Sequence, residues 1–360
     1  FIDGNAEVFY LNGQQLSPYG RLKLNSEQYM LLIEDLKKAL KKNAATIKRN
    51  EYELNKFDFS EDEVFLTVYD NVVDKQKVGT ITREQIKIMI GIIGQGFVGN
   101  AIYQKFKTYF KVYTYDLDES KCNSTKDQVM DAEIVFVCLP TPMDKDGSCH
   151  TGIVEKTIED LNNHGMCKIA VIKSTIPPGT TEKLNSKFRN ISVVFNPEFL
   201  TERNAIQDFE NQTRIILGGP RPATTRLKEI YSVAFKKIHF VKTGSKHAEM
   251  VKYITNCYLA NKVSFANEMY QLAQALDLDY DKVLEYSLHD ERLGTSHWAV
   301  KGPDGYCGFG GHCLPKDLNA LIKVAEEAGV DPVMMKATRD KNDEVREVRD
   351  WEQMKGRAIV

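Results

Sequence analysis

The segment GFGGHCLPKD, Gly308 to Asp317, brings a thiol, a lysine and a carboxylate together just behind three glycines. Gly308, Gly310 and Gly311 open backbone conformations closed to other residues and let another molecule approach the main chain. If a helix opens at Leu314, Cys313 lies at its N-terminus, where orphan amides and the macrodipole favour a thiolate over a thiol. Asp317 then follows one turn along, on the same face. A nucleophile with a base four residues away suits an acyl-enzyme cycle. By spacing alone, the segment reads equally as a glycine-rich turn around a buried, inert cysteine, since free cysteine is among the most buried residue types. Lys252 and Asn256 form a second pair, four apart and so on one helix face. They either point at a reacting group or are a partly exposed lysine beside a helical asparagine.

These residues need elements to position them. KIMIGIIGQGFVG, Lys87 to Gly99, is a buried-strand pattern running into Gly94, Gly96 and Gly99, and AIYQKFKTYF continues it as a helix. The next strand, KVYTYD, ends on Asp116, about 20 residues on, where a dinucleotide-binding unit places its ribose-binding carboxylate. Gly94 makes the tight turn, Gly96 admits the pyrophosphate and Gly99 allows close helix packing, with Phe97 and Val98 between them at the helix N-terminus. Asp116 would repel a 2′-phosphate, so NAD is expected and not NADP. AEIVFVCLPTP, CKIAVIKSTIPPGT and ISVVFNPEFL repeat the pattern of an apolar strand with polar, glycine or proline residues at its C-terminal end. In an open α/β sheet the ligand lies beyond those ends, which gathers Pro140, Thr141, Ser174, Thr175, Asn196, Glu198 and Glu202 into one cleft. From Lys246 to Asp277 there is no glycine or proline. Met250, Tyr253, Ile254, Leu259, Phe265, Met269 and Leu272 recur there at helical spacing, which predicts a long helix whose stripe is core or subunit interface.

At 360 residues, 42% hydrophobic, the chain has room for two or three domains with real cores. Forty-eight basic against 50 acidic residues, a net charge of −2, argue against nucleic-acid or membrane-surface partners. No apolar run approaches the roughly 20 residues that span a bilayer, and FIDGNAEVFY has no signal-peptide pattern. Seven cysteines without a CxxC pair read as reduced thiols in the cytoplasm, and the scattered histidines predict no metal site. Residues 1–86 read as a small α+β module of undisclosed role. Its signals are a hairpin about Asn12-Gly13, a helix from Asn25 to about Lys42, and strands in TIKRNEYEL and DEVFLTVYDNV. The predicted fold is therefore α/β, with a doubly wound Rossmann domain over 87–218 and a long-helix central domain over 219–360.

GQGFVG, LPTP, STIPPGTT, NPEFLTE, KYITNCYLANKVSFANE, DERLG and GFGGHCLPKD occur in this order from Lys87 onward. In that order they resemble the UDP-glucose/GDP-mannose dehydrogenases. The resemblance implies NAD-dependent, four-electron oxidation of a nucleotide sugar at its C6 alcohol, with UDP-glucose as the expected substrate and GDP-mannose or UDP-N-acetyl sugars as alternatives. It implies that Cys313 is the nucleophile, that Lys252, Asn256 and Asp317 stabilise the oxyanion and position water, and that Glu202 and Thr175 serve acid/base and water-holding roles. Glu198, Phe199, Leu200, Arg292, Gly310 and Lys316 fall on substrate-side positions, Arg292 near a subunit boundary of a homodimer formed through helix 246–277. Family members carry a third, C-terminal nucleotide-gripping domain, so an ending at Val360 implies a short form, and residues 1–86 have no counterpart in the family pattern. Two other readings compete: a two-electron hydroxyacid dehydrogenase, in which Cys313 is idle, and a binding or structural protein that retains the fold.

Overall fold

The computed structural model describes residues 9–11, 14–16, 21–24, 64–67, 78–79 and 88–360, in two units, Phe1–Lys87 and Ile88–Val360. In the first unit, β1 (Phe9–Leu11) pairs antiparallel with β2 (Gln14–Leu16), with Leu11 opposite Gln14, as the hairpin signal at Asn12-Gly13 predicts. Strands β3 (Arg21–Leu24), β4 (Val64–Thr67) and β5 (Val78–Gly79) form an antiparallel sheet in that order, β4 lying within DEVFLTVYDNV. The predicted helix at 25–42 and strand at 46–54 lie outside the described residues.

The second unit is built on a seven-stranded sheet. Its strands are β6 (Met89–Ile93), β7 (Lys111–Tyr115), β8 (Ile134–Val137), β9 (Ile169–Ile172), β10 (Ser192–Phe195), β11 (Arg214–Gly218) and β12 (His239–Thr243). The spatial order is β12-β11-β10-β9-β8-β6-β7. Strands β7 to β10 run parallel around β6, and the order reverses between β6 and β8, a switch point that leaves a crevice beyond the strand ends. β8 and β9 are buried along their whole length, which is why they read as continuous apolar runs and not as alternating ones. Strand β11 turns antiparallel to β10, and β12 follows it in parallel, so the winding is not uniform to its edge. The predicted end of the sheet domain at 218 is corrected by this: helix Arg221–Ala234 and β12 complete another unit of the same sheet, which runs to Thr243.

The glycine loop is dictated by crowding. Gly94 has φ +93°, and a Cβ there would lie 2.4 Å from the Cys138 carbonyl oxygen; a Cβ on Gly99 would lie 1.9 Å from that of Gly94. Only glycine lets helix Phe97–Phe106 start this close to the strand.

Helix Ser245–Ala275 spans 31 residues. Its first turn is fixed to the sheet by Glu249, whose buried carboxylate accepts from the amides of Gly179 (2.6 Å) and Thr181 (2.9 Å) at the start of helix Thr180–Lys187. A carboxylate facing orphan amides at a helix N-terminus is favourable; burial nonetheless raises the Glu249 pKa. The predicted apolar stripe divides. Tyr253 is buried, whereas Met250, Ile254, Phe265 and Leu272 are exposed, together with Tyr258. The buried face instead carries Glu249, Lys252, Asn256, Lys262 and Asn267, polar groups held by hydrogen bonds. Tyr253, Cys257, Ala260 and Val263 pack with Phe309, Leu318, Leu321 and Ile322. This second core joins the long helix to the helix that follows Cys313.

Among the described residues no helix is long and apolar enough to cross a membrane, and no cluster of histidine, cysteine and carboxylate side chains could hold a metal ion.

Candidate active site

Cys313 occupies the N-cap of helix Leu314–Glu327, with Pro315 in its first turn. The main chain turns as the spacing predicts, the Asp317 amide donating to the Cys313 carbonyl at 3.0 Å. Asp317 is almost fully buried and is held from both sides: Asn256 Nδ2 donates to Oδ2 at 2.6 Å, and Lys316 Nζ to Oδ1 at 2.5 Å. Lys252, one turn before Asn256, donates through Nζ to the Glu198 carbonyl oxygen and sits over the Phe199 ring at 5.4 Å. Of the two readings of the Lys252/Asn256 pair, the partly exposed one is corrected, because both side chains are buried and face the cysteine helix.

The electrostatics differ from the expected thiolate. Burial pushes the Cys313 thiol above its ordinary pKa and the Asp317 carboxylate adds to this, with Lys316 and Lys252 opposing. Desolvation therefore outweighs the helix terminus, and the sulfur favours the neutral thiol. Burial lowers the Lys252 pKa against the pull of Asp317, Cys313 and Glu198. Burial also works against Lys316, but Asp317, Cys149 and Cys313 outweigh it and hold its pKa above the usual value. Substituting Asp317→Asn keeps an oxygen for Asn256 and removes one negative charge beside the sulfur. The Cys313 pKa is then expected to fall, so that alkylation by iodoacetamide at pH 7 speeds up and its pH midpoint moves down. An unmoved midpoint would mean that burial alone sets the thiol.

The strand ends contribute the rest of the cleft. Thr141 Oγ1 donates to the Thr175 carbonyl at 2.8 Å and Ser174 Oγ to the Leu139 carbonyl at 2.5 Å, locking the loops after β8 and β9 together; Pro140 sits exposed between them. Glu198 does not present its carboxylate to the cleft. Oε2 pairs with the buried Lys173 ammonium at 3.0 Å and Oε1 accepts from the Phe199 amide at 2.7 Å, so it orders the loop carrying Phe199 and Leu200. Glu202 lies half-exposed, 3.5 Å from His312 Nδ1 and 3.4 Å from the Arg357 guanidinium. His312 in turn packs on Phe97, ring centroids 5.5 Å apart. The cysteine loop is thereby held against the glycine loop. Arg292 is not drawn into this group: its guanidinium is exposed and pairs with Asp290 in the short turn Glu291–Leu293.

The glycine loop fits a dinucleotide. Nothing lies within 4 Å of where a Cβ on Gly96 would be, which leaves the main chain open beside Phe97 and Val98. The Asp116 carboxylate at the end of β7 receives the Gln95 amide at 2.6 Å, so it stands beside the loop where a ribose hydroxyl would be met.

Several positioning residues escape a reading by motif. Asn342 grips the Phe309 main chain through both its amide (3.1 Å) and carbonyl (2.7 Å) ends, Asn267 accepts from the Gly308 amide (3.2 Å), and Asp350 accepts from the Gly311 amide (3.0 Å). Arg346, buried, joins Asp350, Asp304 and the Val348 carbonyl. Asn267 had a signal: it lies eleven residues, about three turns, after Asn256 on the same helix. Arg346 and Asn342 lie in a stretch as charged as a surface helix and had none. Lys173, directly after the apolar run of β9, was visible as a charge that had to find a partner.

Residues 121–235 match the NAD binding domain of the UDP-glucose/GDP-mannose dehydrogenase family, and residues 246–344 match the central domain of the same family. The chain is 35% identical over 239 residues to a UDP-glucose 6-dehydrogenase of Pseudomonas aeruginosa, covering 62% of this chain and 51% of the relative. It is 32% identical over 250 residues to a UDP-glucose 6-dehydrogenase of Haloferax volcanii, covering 64% and 57%. A UDP-glucose dehydrogenase structure from Pyrobaculum islandicum superposes with a TM-score of 0.66 at 27% identity, covering 74% of this chain and 70% of that one. The chain thus spans about half the length of the curated relatives it matches.

Proposed function

The chain belongs to the UDP-glucose/GDP-mannose dehydrogenase family, and from that premise we propose that it oxidises the C6 primary alcohol of a nucleotide sugar to the carboxylate through a thioester on Cys313. The observation that carries this reading is the convergence of Lys252, Asn256, Lys316 and Asp317 on the helix start at Cys313, beside a glycine loop that His312 touches through Phe97. UDP-glucose is the proposed substrate, on the likeness to relatives named for it; GDP-mannose and UDP-N-acetyl sugars are its competitors in the test.

Two NAD molecules, held in succession by Gly94, Gly96, Phe97, Val98, Gly99 and Asp116, would each take up one of the two hydrides that conversion of an alcohol to an acid gives up. Pro140, Thr141, Ser174 and Thr175 complete the coenzyme side. Lys252 and Asn256 stabilise negative charge on the sugar oxygen; one such donor is worth about 3 kcal/mol in a transition state. The Cys313 sulfur bonds to the aldehyde carbon, and its proton passes to the aldehyde oxygen, so the neutral resting thiol brings the proton the thiohemiacetal needs. Oxidation of that adduct leaves a thioester. Water held by Thr175 and activated by Asp317 or Glu202 then breaks the carbon–sulfur bond and returns the thiol. Phe199, Leu200, Arg292, Gly310 and Lys316 are the proposed substrate contacts, with Glu198 acting through the loop it orders.

The test is NADH formation with UDP-glucose, GDP-mannose and UDP-N-acetyl sugars. Two NADH per sugar are expected with UDP-glucose; one per substrate would point to simple alcohol oxidation, and none, with NAD bound, to a binding protein. The exposed face of the long helix, with Met250, Ile254, Tyr258, Phe265 and Leu272, supports a homodimer. Sedimentation showing only monomer at micromolar concentration would exclude that.

A further inference from the structure

Two lysines meet one glutamate beneath the cleft. Lys173, directly after β9, is buried. Its ammonium donates to Asn196 Oδ1 at 3.0 Å and pairs with Glu198 Oε2 at 3.0 Å. Asn196 is itself fixed, accepting from the Tyr231 hydroxyl at 2.5 Å and donating to the Ile216 carbonyl at 2.8 Å. Lys173 is thereby anchored to β11 and to helix Arg221–Ala234. Lys252 reaches the same glutamate from the long helix, but what it holds is the Glu198 main-chain carbonyl. It donates to no other oxygen among the described residues, and its ammonium stands 5.4 Å from the centre of the Phe199 ring.

An ammonium bonded to a neutral carbonyl keeps its charge and its remaining N–H donors for another oxygen, whereas a carboxylate partner engages both. The Glu198 carboxylate belongs to the residue whose carbonyl Lys252 already holds, so a rotation of that side chain brings it within reach of the ammonium. Their attraction is strong in a site this buried. Glu198 already favours the charged form of Lys252, together with Asp317 and Cys313, while burial and Lys316 oppose it. Lys173 blocks the rotation, because releasing Glu198 would leave a buried ammonium without its counter-charge.

We propose that Lys173 is a positioning residue for the oxidation: by holding the Glu198 carboxylate away from the cleft, it keeps Lys252 unpaired and available to the sugar oxygen. This rests on the reading of Lys252 as a donor to that oxygen. An apolar residue in place of Lys173 would leave Glu198 a buried carboxylate with Lys252 as the cation in reach.

Turnover of the nucleotide sugar by Lys173→Met, by Lys173→Met/Glu198→Gln and by Lys252→Ala tests this. In Lys173→Met the carboxylate is free to pair with Lys252, and turnover is expected to fall about a hundredfold, the scale of losing one donor to a developing oxyanion. The alkaline limb of its pH profile, where Lys252 gives up its proton, is expected to move to higher pH, since a carboxylate beside an ammonium favours the charged form. The double variant leaves no charge to reach Lys252, so turnover is expected to recover by about tenfold or more over Lys173→Met, with the alkaline limb back in its wild-type place. A merely structural role predicts the reverse, because a second substitution in the same buried cluster adds damage. The double variant buries no unpaired charge, so it carries the test alone if Lys173→Met fails to fold: turnover within about tenfold of wild type supports the proposal, and turnover as low as that of Lys252→Ala overturns it. A double variant no faster than Lys173→Met overturns it too, and so does Lys173→Met at the wild-type rate. Lys252→Ala at the wild-type rate would instead bring down the oxyanion reading and the proposal with it, as would a wild type that oxidises none of the sugars named above.

Discussion

Cys313→Ala is expected to stop carboxylate formation, lowering the steady rate by about three orders of magnitude or more, the scale seen when a covalent nucleophile is removed. The loss should be specific to the second oxidation. Lys252 and Asn256 remain in place, held by the Glu198 carbonyl and by Asp317, so oxygen-charge stabilisation in the first step survives. A single turnover should release at most one NADH per sugar, with aldehyde or its hydrate as the product. Cys313→Ser should behave similarly, because a hydroxyl lacks the acidity and nucleophilicity of a thiol. Full activity in Cys313→Ser would sink the thioester mechanism and favour a two-electron dehydrogenase in which the cysteine is a packing residue. NAD affinity serves as the control, since the neighbouring His312, and not Cys313, makes the ring contact with Phe97 at the glycine loop.

The sheet was legible because its signals are local. Gly94 follows β6 directly and must take positive φ, Asp116 ends the next strand, and β8 and β9 are unbroken apolar runs. The antiparallel entry of β11 was not legible, because strand direction is decided by pairing partners far apart in sequence. On the long helix, apolar periodicity marked the outward face, which excludes the core alternative for most of the stripe and leaves the interface one. Met250, Ile254 and Phe265 look outward, and the inward face is polar because the second core and the cysteine helix satisfy Lys252, Asn256 and Asn267 with hydrogen bonds. Periodicity measures hydrophobicity alone, so it could not show that the opposite face is buried through polar groups. The thiol's charge state also escaped the spacing argument. A helix N-terminus is visible in sequence, but the burial and the Asp317 charge that oppose it are tertiary facts. The Glu198 position shows the same limit, since its occupation by Lys173 depends on neighbouring strand ends.

The loop that carries Cys313 is held from behind by Arg346, and breaking that hold is expected to have the largest effect on stability. The Arg346 guanidinium is buried and lies 2.7 Å from Asp304 and 3.1 Å from Asp350, while its Nε donates to the Val348 carbonyl at 2.7 Å. Gly310 leans directly on this group: a Cβ there would fall 2.2 Å from the guanidinium nitrogen and 2.3 Å from the Asp350 carboxylate. Arg346→Met keeps the volume but leaves two carboxylates, each about a third exposed, without their cation; solvent screening reduces the cost of breaking a fully buried pair to about 2–3 kcal/mol. For a unit of this size that corresponds to a fall in Tm of about 6 °C. The freed Asp350 also loses its orientation toward the Gly311 amide, so the cysteine loop should loosen before the sheet does. Below the melting transition, the variant should therefore alkylate Cys313 faster than wild type and turn over more slowly, while binding NAD with unchanged affinity. Gly310→Ala attacks the same junction from the loop side and should reproduce the loss of turnover with a smaller change in Tm, because it displaces the loop without unpairing a charge. An Arg346→Met chain that melts within a degree or two of wild type and keeps its turnover would show that the Asn342 and Asn267 contacts alone set the position of Cys313.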